Sequence, residues 1–105
     1  MRQEVKYHTG PKHYVKCEVF TGHSPSERLV RVFNSDGRSD WGNFPKAIVN
    51  EKEKLLHVDV YLLHGKSESA LIGVGGCSFL HADSIWVPKS TLLEKNLQGR
   101  KIPFR

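Results

Sequence analysis

Tyr14, Lys16, Arg31, Phe33, Arg38 and Trp41 set positive charge beside aromatic rings within a short length of chain. Ammonium and guanidinium groups meet phosphates while rings stack on bases, so this interleaving suits single-stranded nucleic acid. It requires the first two strands to pair as a hairpin. Tyr14, Lys16 and Phe20 would then share a surface with Arg31 and Phe33, and Arg38 and Trp41 would follow just past the next turn. A closed barrel would instead bury Phe20, Phe33 and Trp41, as small domains commonly do with their aromatics.

Other constellations suggest different chemistry. His57 and Asp59 fall on one face of a strand, where a carboxylate can orient an imidazole. With His64 or His13 and a lysine such as Lys66, the pair would suit metal-independent RNA cleavage. One histidine would take the 2′-hydroxyl proton and the other would protonate the leaving group. The plainer reading is a polar pair on a solvent-facing strand. Cys77 and His81, four residues apart, could ligate Zn²⁺ with Cys17, His57 or His64. A structural zinc site normally shows two tight ligand pairs, and only one loose pair is visible here, so no metal is assigned. Gly-Val-Gly-Gly at 73–76 is no phosphate loop, since no Lys-Ser/Thr follows it. Nucleophile-elbow, His-Glu-x-x-His and paired Cys-x-x-Cys motifs are all missing from the sequence, and no cofactor is implied.

The elements that must carry these side chains read as strands. In YVKCEVF, Val15, Cys17 and Val19 face one way, while Tyr14, Lys16, Glu18 and Phe20 face the other. RLVRVF repeats the alternation, with Val30 and Val32 inward against Leu29, Arg31 and Phe33. Asn34-Ser35-Asp36-Gly37 supplies a turn between strands. The stretch 45–55 fits either a short helix entered at Pro45 or a strand, a charged turn and the next strand. The second is preferred because LLHVDVYLL then alternates clearly, with Leu56, Val58, Val60 and Leu62 on one face. ALIGV suits a central strand, and SIWVP reads as the last strand, closed by Pro88. Ser90 is positioned to cap a helical turn in STLLEKNL. Trp86 is assigned to the core because it sits beside the apolar ALIGV strand.

At 105 residues there is room for one domain and one core. Neither a membrane-length apolar segment nor the apolar region of a secretory signal is present. A cytoplasmic protein with two reduced thiols, Cys17 and Cys77, is therefore expected. The net charge of +5 is unevenly spread. Residues 1–16 carry +3 and residues 89–105 carry +4, while the stretch between carries −2. Basic, flexible ends on a slightly acidic body suit nucleic acid or an acidic protein partner, although solubility alone also favours such ends.

The C-terminal third carries one resemblance. Ala70, Leu71, Ile72 and Val74, then Ile85, Trp86, Val87, Pro88, Lys89, Ser90 and Leu92, follow a hairpin pattern. This stretch, residues 68–94, resembles short proteins of phages and other mobile elements whose second strand ends in Trp-Ile/Val-Pro-Lys-Ser. The loop from Gly75 to Asp83 is longer than the tight turn of that pattern. The resemblance implies a small β-domain of mobile-element origin and brings no catalytic residues with it.

Taken together, the residues predict a mostly β, single-domain antiparallel barrel or sandwich of five to seven strands, with room for one short helix. The expected function is a small basic module binding single-stranded nucleic acid. Attachment to a host protein is the first alternative, and a ribonuclease built on His57, Asp59 and His64 is the second.

Overall fold

The computed structural model describes residues 12–63, 68–95 and 99–103. Ten strands run through them: β1 (His13–Lys16), β2 (Glu18–Thr21), β3 (Glu27–Phe33), β4 (Ser39–Pro45), β5 (Val49–Asn50), β6 (Leu55–Leu63), β7 (Ser69–Gly73), β8 (Ser84–Pro88), β9 (Leu92–Lys95) and β10 (Lys101–Pro103). The larger sheet has the order β10-β9-β1-β6-β7-β8, with β5 added to β6, and the smaller has the order β2-β3-β4. All pairings are antiparallel. The fold is mostly β, as the alternating sequence predicts.

The chain divides more finely than its hydrophobic period suggests. YVKCEVF is continuous in pattern yet contributes to both sheets. β1 pairs β6 and β9, whereas β2 pairs β3. The break is at Cys17, which buries its side chain in the core and donates its N–H to Lys54 O at 3.0 Å. Beyond Pro88 the chain continues into β9 and β10, so SIWVP is not the last strand.

Inward positions from both sheets meet in one core, among them Val15, Val30, Val32, Phe44, Leu56, Ile72, Val87 and Leu92. Phe44 needs space that only glycine leaves, since a Cβ on Gly42 would stand 2.5 Å from its ring. The loop between β7 and β8 closes the same core with Phe79, whose ring meets Phe44 edge-on at 5.3 Å.

Two strands leave their sheets in the same way. Pro45 and Pro88 each end a strand, and a 3-10 turn follows at Lys46–Ile48 or Lys89–Thr91 before β5 or β9. Proline removes a ladder donor, so the strand stops there. The stretch 45–55 is therefore strand, turn and strand, and no α-helix occurs among the described residues. The β3–β4 turn is held by Asn34, whose Oδ1 accepts from the N–H of Asp36 and of Arg38, with Gly37 at φ +82°. No helix is long and apolar enough to cross a membrane.

Trp86 requires a correction. It is 37% exposed, while its neighbours Ile85 and Val87 are buried. A strand turns alternate residues to opposite faces, and two inward aliphatic neighbours force Trp86 outward. Trp86 does stand beside the ALIGV strand, opposite Leu71, but on its outer face.

Candidate nucleic-acid interface

Three of the six basic and aromatic residues come together on the outer face of the smaller sheet. Arg31 of β3 stands opposite Glu18 of β2 and Trp41 of β4. Its guanidinium lies 4.9 Å from the Phe33 ring centre and 5.2 Å from the Trp41 ring. Phe20 joins them from β2, reaching across β3 to bring its ring 5.5 Å from Trp41. Phe20 and Phe33 remain 43% and 44% exposed, so both rings present area to solvent. They are not core residues, because the inward positions of β3 are taken by Val30 and Val32.

Two contacts fix this strip. Glu18 accepts from Arg31 Nε at 2.6 Å, which holds the guanidinium in place against both rings. Trp41 O accepts from Leu80 N–H at 2.7 Å, tying the edge of β4 to the β7–β8 loop. Below the strip, Glu27 accepts from Asn43 Nδ2 at 2.8 Å. A stacking platform needs rings held in place before the ligand arrives, and the strip meets that condition. Its charge is low, because Glu18 balances Arg31.

The remaining three residues lie elsewhere. Tyr14 and Lys16 belong to β1 and hence to the larger sheet, since the chain changes sheets at Cys17. Tyr14 stands opposite His57 with ring centres 5.5 Å apart, and Lys101 Nζ lies 5.3 Å from the Tyr14 ring centre. Lys16 is exposed at the end of β1 and lines a shallow hollow with Lys54 and Lys101. Arg38 is exposed just after the β3–β4 turn, two residues along β4 from Asp40. The continuous surface expected from the sequence is thus two surfaces on two sheets.

His57 and Asp59 both lie on β6 but have separate surroundings. His57 faces Tyr14, Asp59 pairs with Gly73 and sets its carboxylate near Gly75, and no hydrogen bond joins the two. Burial holds the His57 pKa below its ordinary value; Asp59 partly offsets this, and Lys12 pushes the same way as burial. His13 lies 3.8 Å from Glu94, and His64 and Lys66 fall outside the described residues. Cys17 and Cys77 are free thiols. Among the described residues no three potential ligands from His, Cys, Asp and Glu converge on a metal position.

The sequence reading missed a cluster of lysines around Tyr14. Lys12, Lys52, Lys95 and Lys101 line a groove of about 570 Å³ with Tyr14, His57 and the β5 segment. Its trace in the sequence was the basic character of both chain ends, which β1, β9 and β10 bring side by side. No family model matches the chain, and neither curated proteins nor solved structures give a match.

Proposed function

We propose that the protein is a non-catalytic binding module that takes single-stranded nucleic acid on the outer face of the β2–β3–β4 sheet. The observation that carries this is the exposed strip Phe20–Trp41–Arg31–Phe33, fixed in advance by Glu18 and Leu80. Two open phenylalanine rings and an indole on a three-stranded sheet offer base-sized stacking surfaces. Arg38, exposed just before β4, remains available to a phosphate. Stacking therefore supplies more of the affinity than charge does. Amide chemical-shift mapping with a short oligothymidylate tests this. Perturbations should concentrate on β2, β3 and β4 around these four residues, and a map confined to the larger sheet would overturn the assignment.

Attachment to a protein partner has its own support. With Arg31 neutralised by Glu18, the strip is close to neutral, and Leu80 beside it is 68% exposed. Aromatic and arginine side chains together are typical anchors of protein interfaces.

A further inference from the structure

We propose that the lysine groove of the larger sheet is a separate binding site for a multivalent phosphate anion of the oligophosphate class. Three of its lysines lie on neighbouring strands in one cross-strand row. Lys101 and Lys95 are direct partners between β10 and β9. Lys95 N–H donates to Lys12 O at 2.9 Å, which continues the row to the start of β1. Lys52 joins from the turn between β5 and β6. Like charges placed opposite one another on a sheet face destabilise it, so this row costs the protein stability whenever no anion is bound.

The acids nearby relieve it only at Lys101. Glu53 lies 2.8 Å from Lys101 Nζ and also accepts from Asn50, and Glu51 is held by Arg28 at 3.0 Å. Among the described residues, Lys12, Lys52 and Lys95 have no acidic partner. The groove is open to solvent, and Tyr14 and His57, with ring centres 5.5 Å apart, are among its lining. Several lysines grouped around one groove sum their fields and raise the attraction for one compact anion. Ammonium groups act as point charges with freely rotating donors, which suits phosphoryl oxygens of variable geometry. A singly charged anion can meet only part of this field, whereas a chain of phosphates spans the row. The site is independent of the stacking strip, which occupies the other sheet.

The test is thermal unfolding and calorimetric titration of the full chain with sodium tripolyphosphate at low ionic strength. Sodium chloride matched in ionic strength serves as the control. The parent should bind one equivalent and unfold several degrees higher with the anion in excess. Lys12→Gln with Lys95→Gln should weaken binding roughly tenfold or more. Without anion, the same variant should unfold no lower than the parent, because it relieves the repulsion in the row. Lys46→Gln with Lys89→Gln removes equal charge outside the groove and should keep most of the affinity. Equal loss in both double variants would reduce the effect to net charge and overturn the site. So would a tripolyphosphate shift no larger than the chloride control. A marked drop in the unliganded stability of the Lys12/Lys95 variant would make those lysines structural and overturn it as well.

Discussion

Glu18 holds Arg31 against Phe33 and Trp41 and also cancels its charge, so removing that carboxylate should act in a definite direction. Glu18→Gln should tighten binding to single-stranded DNA. It should also steepen the dependence of log K on log salt by about 0.7, one phosphate contact on a single strand. The ion pair is itself partly exposed, with side chains 30% and 43% accessible, so its loss should cost at most about 1 kcal/mol of stability. Unchanged binding would remove Arg31 from the contact surface. The two thiols should separate just as cleanly. Burial, reinforced by Glu18, pushes the Cys17 pKa up to about 12, which leaves it a protonated core group. The native protein should therefore show Cys77 alone to a thiol reagent, with Cys17 appearing only on unfolding. His57 makes stability depend on pH. Its pKa is lower folded than unfolded, so the unfolded chain binds more protons in the window below the ordinary histidine value. Its contribution is complete above that value and is lost as pH falls toward the folded pKa. Melting temperature followed from pH 7 to pH 5 should fall further in the parent than in His57→Asn.

The elements set which substitutions are costly. Phe44 is fully buried and Trp86 is 37% exposed, although both lie in strands and both are large. Phe44→Ala should cost roughly 3–5 kcal/mol as a core truncation. Trp86→Ala should cost well under half of that, and denaturant unfolding of the two variants compares them directly. The same periodicity explains what could be read in advance. Val15, Val30, Val32, Leu56 and Val58 were identifiable as inward because each strand has its own period of two. The Asn34–Gly37 turn and the strand character of 45–55 were equally local matters. The change of sheet at Cys17 was not local. It depends on which strands accept β1 and β2, namely β6 and β9 for one and β3 for the other, and no alternation encodes that choice. LLEK at 92–95 looked like the continuation of a helical turn because β1, one of its two partners, is far from it in sequence.

At the scale of the whole molecule, the sheet change divides the candidate surfaces as well as the strands. One set of basic and aromatic residues expected to act together is parted, leaving a near-neutral ring strip on the smaller sheet and a lysine groove on the larger. The basic chain ends, which suited either a nucleic-acid or acidic partner or plain solubility, bring Lys12, Lys95 and Lys101 side by side. The smaller sheet should then bind nucleic acid with a shallow salt dependence. One phosphate contact, from Arg38, gives a log–log slope of about −0.7. Fluorescence anisotropy of a labelled oligonucleotide across a salt series, with the parent and Phe33→Ala, tests the central claim most directly. Phe33→Ala should keep the parent slope and lose roughly 1–3 kcal/mol of affinity at every salt concentration. Equal affinity in parent and variant, or a steep slope abolished by Lys12→Gln with Lys95→Gln instead, would contradict a stacking site on the smaller sheet.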